Sequence, residues 1–253
     1  ASTVSRALTG SSGVASDTRK TIVATAQTLG YRVNNAARGL VSGRSKLIGV
    51  LTQTLTSPFF VEIINGVEQG LDETDYSSVI MTGNWKTDKE NYALDKLLQC
   101  RIDGLILLSD IIEDQRLHQL VEEIPFMVVG RNVAELESHC IEVDHYQGAY
   151  AATRYLIELG HRQIAHVTGH PTSQVTEPRQ QGYTQALLDA GIAVDPRLTI
   201  QGDFREQSGI LAVEMLLARG VTFTAVFAAN DDLAKGLQLG LYRHGIRVPD
   251  EVS

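Results

Sequence analysis

Several things are missing from this chain of 253 residues, and each absence closes a function class. No apolar run approaches the ~18 residues of a membrane helix, so no span is expected. No basic patch followed by an apolar stretch opens the chain, so no secretory leader is read there. Cysteine is scarce: Cys100 and Cys140 lie far apart and form no CxxC pair. A disulfide framework or zinc knuckle is therefore not expected, and a reducing cytoplasm is the simplest setting. No Gly-x-Gly-x-x-Gly follows the first predicted strand, and Gly39 to Ser45 lacks a phosphate-loop lysine, which speaks against a Rossmann-type enzyme. No nucleophile–base set stands out, although groups that meet only in space leave no such trace. His166 and His170 are four apart but fall on a strand and its loop, without the shared helix face that ligation needs. No metal, no cofactor and no enzymatic activity are expected.

Positive charge is also scarce, but unevenly so. The net charge is −8. Residues 1–46 carry seven basic residues against the single acid Asp17, a net of +6, and the remainder has a net of −14. A small basic head on a large acidic body is the asymmetry expected when only the head meets phosphates, the plainer alternative being a basic patch with no partner.

From Leu47 onward, short apolar runs alternate with helical periodicity. Strands are predicted at 47–52, 78–82, 103–109, 125–129, 140–143, 163–168, 198–201 and 225–228. Helices are predicted at 58–73, 89–101, 113–122, 146–159, 179–190, 206–219 and 231–244. These are βαβ units, so the fold class is α/β with two successive doubly wound parallel-sheet lobes, 47–144 and 145–253. Val248 to Ser253 reads as the approach to another strand, so the second lobe is expected to be incomplete. The head differs: a short helical segment ends at Leu8, and an amphipathic helix from Ser16 to Leu29 is closed by Gly30.

The residues Thr3-Val-Ser-Arg-Ala-Leu8, Gly10, Val14, Thr18-Arg19 and Leu29-Gly-Tyr31 resemble the helix-turn-helix of the lactose/galactose repressor (LacI/GalR) family. Asn34-Asn-Ala-Ala-Arg-Gly-Leu40 and Gly43-Arg-Ser45 resemble its hinge helix. The likeness continues through Ser57-Pro-Phe-Phe60, Asp103-Gly-Leu-Ile106, Leu159-Gly-His-Arg162, Gly202-Asp-Phe204, Ala229-Asn-Asp231 and Val248-Pro249. The resemblance implies a periplasmic-binding-protein-like sensor preceded by a partial DNA-reading head (1–31) and a hinge (32–46). It implies that the family's first helix would stand before Ala1.

The resemblance implies DNA contacts at Ala1, Ser2, Thr3, Ser5, Arg6, Asn34, Ala37 and Leu40. A recognition helix enters the major groove with its first residues against base edges, where Arg6 can fork onto a guanine or take a phosphate. Leu40 would wedge into the minor groove and kink the duplex, its alternative being ordinary packing under the hinge. Two residues depart from the family pattern: Thr9 stands in place of Asn, and Ala15 in place of a capping Ser.

The sensor site can be approached without the family. Ligands of parallel α/β sheets bind beyond the carboxyl ends of the strands. There the chain places Ser57 to Phe60, Asn84-Trp85, Ser109-Asp110, Gly130 to Asn132, Gly169-His170, Phe204 and Asn230-Asp231. Flat aromatics beside fork-shaped donors suit a polyhydroxylated or planar ligand. The resemblance implies effector contacts at Phe59, Phe60, Arg131, Arg179, Phe204 and Asn230, with Arg179 coming from the resemblance alone. Phe59 could instead pack under its helix, Arg179 could join an interlobe salt bridge, and Trp85 could either stack on a ligand or cover a sheet edge. Gly130 stands where the family often has a sugar-binding Asp. Two arginines with few matching acids point toward a sugar acid or phosphate, a plain sugar being the alternative.

The expected function is operator-DNA binding by a homodimer, controlled by a small-molecule effector such as a sugar or sugar derivative. A solute-binding protein of a transporter is the rival, and residues 1–46 argue against it.

Overall fold

The computed structural model describes residues 2–8, 12–31 and 43–253. The chain divides into two compact units, 1–46 and 47–253. The first unit holds two helices, α1 (Ser2–Leu8) and α2 (Ser16–Thr28). Ala15 at the cap position of α2 offers no side-chain acceptor, and no side-chain capping bond forms there. Gly30 closes the segment with φ 63, a conformation that costs glycine no Cβ clash. No residue of α2 is buried, whereas Ala7 on α1 is. Thr3, Ser5 and Arg6 are exposed on α1, and Arg6 Nη1 reaches to 3.6 Å from where a Gly13 Cβ would stand. Ala1, Asn34, Ala37 and Leu40 lie outside the described residues, as does the expected hinge helix.

The second unit contains two parallel sheets. In the first, β1 (Leu47–Thr52), β2 (Ser77–Thr82), β3 (Gly104–Leu108), β4 (Phe126–Val129) and β5 (Cys140–Ile141) lie in the order β2-β1-β3-β4-β5. In the second, β6 (Ile164–Val167), β7 (Thr199–Ile200) and β8 (Ala225–Ala228) lie in the order β7-β6-β8. All pairings are parallel. Such ladders require crossovers, and these are α3 (Pro58–Leu71), α4 (Thr87–Gln99), α5 (Asp114–Leu120), α6 (His145–Glu158), α7 (Thr176–Asp189), α8 (Glu206–Ala218) and α9 (Asp231–Arg243). The order reverses beside β1 in one sheet and beside β6 in the other, which makes their carboxyl ends switch points.

Burial follows the strand period. Leu51 packs with Leu94 and Leu97 of α4, while its neighbour Val50 packs with Ile64 of α3. The second sheet is covered differently. There α8 and α9 cross so closely that a Cβ on Gly236 would stand 1.9 Å from the Glu206 carbonyl oxygen, and one on Gly209 2.3 Å from that of Leu233. Glycine is required at both positions because backbone meets backbone. The last residues run beside β8: Val226 N donates to Ser253 O at 2.8 Å, and Ser253 N to Thr224 O at 3.0 Å.

Helix starts follow capping chemistry where they matter to the cleft. Asp144 accepts from Gln147 N at 2.9 Å and starts α6; Asn230 accepts from Leu233 N at 3.0 Å and starts α9. Ser57 stands at the cap position of α3 but does not cap it, because its hydroxyl is used elsewhere.

Candidate functional site

The carboxyl ends of the two sheets face one another across a cleft, and the side chains there touch. From the first sheet, Phe60 and Trp85 form an edge-on pair with centroids 6.1 Å apart. Trp85 in turn tilts against Phe204 of the second sheet at 6.2 Å. Trp85 neither covers a sheet edge nor stands free: at 7 % exposure it is buried in the second lobe's apolar cluster, together with Ile111. The guanidinium of Arg205 lies over its ring, 5.7 Å from the centroid. Trp85 (φ 55) and Phe204 (φ 67) both adopt the left-handed backbone that non-glycine residues avoid. Gly169 makes room for Phe204, since a Cβ there would stand 1.9 Å from its ring.

Arg179, on the first turn of α7, is held by three neighbours. Its Nη1 donates to the Ala229 carbonyl, its Nη2 lies 3.2 Å from His145 Nδ1, and its guanidinium sits 5.7 Å from the Phe204 centroid. No acid pairs with it among the described residues, so the interlobe salt-bridge alternative does not appear. His145 accepts from Arg179 through Nδ1 and donates through Nε2 to the Gly130 carbonyl at 2.7 Å, joining the lobes. Burial, and then the positive charge of Arg179, lower its pKa, so the ring is neutral. Asn230 both caps α9 and donates through Nδ2 to the Phe204 carbonyl at 2.9 Å, fixing that strained turn.

Arg131 is placed otherwise. It is buried, and its guanidinium is spoken for: Nη1 donates to Asp114 Oδ1 at 2.6 Å and Nη2 to the Ile112 carbonyl at 2.7 Å, while Nε has no partner. Phe59 is 62 % exposed and touches Phe60 edge-on at 5.1 Å, so it does not pack under its helix. Of the six expected effector residues, the structure brings Phe60, Arg179, Phe204 and Asn230 into one constellation. Arg131 stands in an ion pair with Asp114, and Phe59 is exposed beside Phe60.

The sequence reading missed most of the polar floor beneath this constellation. Gln53, 1 % exposed, accepts from Trp85 N at 2.8 Å and donates to Asp110 Oδ1 at 3.4 Å. The other Asp110 oxygen accepts from Ser173 of the opposite lobe. A second serine–aspartate bond crosses the cleft, from Ser57 Oγ to Asp232 Oδ2 at 2.6 Å. Behind Gln53, Glu90 is fully buried and bonded to Ser109, with its Oε1 unpartnered. Burial pushes its carboxyl up to about 7, against the lowering effect of its bond to Ser109. Gly83 is required there, because a Cβ would meet Glu90 Cγ at 2.0 Å. In the second lobe, His166 stacks on Phe227 (4.7 Å) and tilts against Tyr183 (4.9 Å). Its Nδ1 donates to the Phe227 carbonyl at 2.9 Å and its Nε2 is unpartnered; burial pulls its pKa down to about 4. Among the described residues no group of three His, Cys, Asp or Glu side chains could hold a metal ion.

Residues 45–253 match the family model described as periplasmic binding proteins and sugar binding domain of LacI family. This chain belongs to the LacI family. Over 252 residues it is 34% identical to the HTH-type transcriptional regulator GalR of Escherichia coli, covering 99% of this chain and 74% of that one. It is 32% identical to the ribose operon repressor of Haemophilus influenzae, covering 100% and 76%. Among solved structures, the lac repressor dimer bound to operator and the anti-inducer ONPF superposes with a TM-score of 0.81 at 27% identity, covering 100% of this chain and 76% of that one. A complex of the transcriptional regulator CelR with cellobiose gives 0.70 at 31% identity, covering 100% and 77%. The α/β core with parallel sheets is thus that of a LacI-family sensor. Among the described residues, no helix of this member is long and apolar enough to cross a membrane.

Proposed function

We propose that this LacI-family protein is a transcriptional regulator, a repressor, whose grip on operator DNA is set by a small hydroxylated effector in the interlobe cleft. The observation that carries the reading is the facing of Trp85 and Phe60 from one lobe with Phe204, Arg179 and Asn230 from the other. Aromatic rings beside side-chain donors suit a sugar ring, one face stacked and its hydroxyls bonded. A ligand that touches both lobes binds the closed arrangement better than the open one, and only such differential affinity can shift a conformational equilibrium.

DNA contact is proposed, on the family resemblance, for Ser2, Thr3, Ser5 and Arg6 on α1 and for Ala1, Asn34, Ala37 and Leu40. Relatives are regulators rather than enzymes, and one neighbour is a dimer on its operator, which supports a homodimer that sets two heads on one site. Phe59, exposed beside Phe60, is proposed to cover the effector once bound. Arg131, already neutralised by Asp114, is proposed to frame the cleft rather than to capture an anion.

The test is coupling. Operator duplexes selected from random DNA are titrated with the protein in the presence and absence of D-ribose, D-galactose and cellobiose. A bound sugar should change DNA affinity by roughly five- to a hundredfold, the usual range for allosteric coupling. Arg179→Ala should weaken sugar binding by about tenfold or more, because a charge-assisted bond is lost. A sugar that binds tightly without altering DNA affinity would refute the regulatory reading.

A further inference from the structure

Asp110 follows β3 at the floor of the cleft and is half-buried. Both of its oxygens are taken. One receives the Gln53 amide, which is itself fixed because its carbonyl accepts from the Trp85 backbone. The other receives the hydroxyl of Ser173, which comes from the opposite lobe and is 4 % exposed. A carboxylate oxygen meeting an aliphatic hydroxyl in a cleft is the bond that a sugar hydroxyl would make there. Gln53 holds the carboxylate from its own lobe, and Ser173 holds it from the other. The Ser57–Asp232 bond repeats the same serine–aspartate chemistry across the same cleft.

We propose that Asp110 is the specificity-determining acceptor for effector hydroxyls, and that Ser173 is its internal competitor, holding the oxygen that an effector hydroxyl takes. This rests on the effector reading above and names its chemistry. It also answers the question left by Gly130: the cleft does have a carboxylate, supplied by the β3 loop. The cleft therefore selects against anions. Arg131 is neutralised by Asp114, and the guanidinium of Arg179 is taken up by the Ala229 carbonyl and His145. A phosphate or carboxylate placed beside Asp110 would face like charge with both nearby arginines already engaged, whereas a neutral hydroxyl replaces the serine one for one. Release of Ser173 undoes one interlobe bond and the ligand makes another, so exchange at this oxygen ties effector identity to lobe contact.

The experiment measures affinities for matched pairs: D-ribose with ribose 5-phosphate, and D-galactose with D-galacturonate. Binding is read by calorimetry and by the fluorescence of Trp85, the single tryptophan, which sits between Phe60 and Phe204. The wild type should prefer the neutral member of a pair by more than tenfold. Asp110→Asn, which keeps shape and one acceptor, should lower the neutral-over-anion ratio by about tenfold, a change that a merely structural role would not produce. Ser173→Ala should tighten the neutral sugar several-fold by removing the competitor. An unchanged ratio in Asp110→Asn overturns the assignment while leaving effector control intact, as does a wild-type preference for the anion. If no sugar of the panel binds the wild type, the effector reading itself falls, and Asp110 falls with it.

Discussion

The two sensor lobes share a plan but meet the cleft with different chemistry. The first presents a hydrogen-bonded polar floor of Gln53, Glu90, Ser109 and Asp110, behind a single aromatic wall. The second presents stacked rings, with His166, Tyr183 and Phe227 beneath and Phe204 on top. The outer layers differ too. In the first lobe, a Cβ added to Gly66 or Gly70 of α3 would meet nothing within 4 Å, whereas in the second Gly209 and Gly236 sit at a backbone-to-backbone crossing. One lobe is therefore tuned by polar satisfaction and the other by close approach. A mutation of one kind should have opposite consequences in the two.

The largest contrast is expected from glycine. Gly236→Ala should destabilise the second lobe by roughly 3 kcal/mol or more, since backbone must shift to admit the methyl group. Gly66→Ala should stabilise by about 0.5–1 kcal/mol, because an exposed helical glycine only adds unfolded-state entropy. Denaturant melts of both variants decide this; equal effects would dissolve the contrast.

Next come the cleft rings. Phe204→Ala should cost about 3 kcal/mol, because it empties a site at 7 % exposure against Gly169 and Trp85. Phe59→Ala, 62 % exposed, should cost under about 1 kcal/mol and show itself in effector affinity instead.

The third contrast is pH. Glu90 has its acid form favoured by folding, so its contribution is full below the usual value of 4.5 and is lost as pH rises through about 7. For His166 the neutral form is favoured, so stability falls as pH drops from 6.5 toward about 4. The two slopes oppose each other across their shared window. Glu90→Gln should therefore melt like the wild type near pH 5 and above it at pH 8, by up to about 3 kcal/mol in stability. If the gap between the two proteins does not widen with pH, Glu90 is not the neutral group described here.

Much of the framework was legible in sequence. Alternating apolar runs located all eight described strands to within two residues at each end, because buried parallel strands leave a strong local signal. Helix starts were less legible. The helix predicted from Arg179 begins at Thr176, since neither Val175 nor Thr176 provides a capping bond to mark the turn. Of the cleft, the loop positions after strands were readable, and family likeness added Arg179. Its polar floor was not, because the partners Glu90–Ser109, Gln53–Trp85 and Asp110–Ser173 are separated by 19, 32 and 63 positions and carry no spacing rule. Arg131 read as an available cation because nothing in its neighbourhood predicts that Asp114, at the start of α5, turns toward it.

The left-handed turns at Trp85 and Phe204 have a mechanical consequence. A non-glycine residue in that region carries a cost of order 1–3 kcal/mol, tolerated only while its surroundings hold it. Here the clamps are the Gln53 bond to the Trp85 backbone, the Asn230 bond to the Phe204 carbonyl, and the contact of the two rings across the cleft. Each ring thus rests on a cocked hinge whose latch is partly the opposite lobe. The ring contact is a clamp the two turns share, so a substitution that removes either ring also loosens the strained backbone under the other.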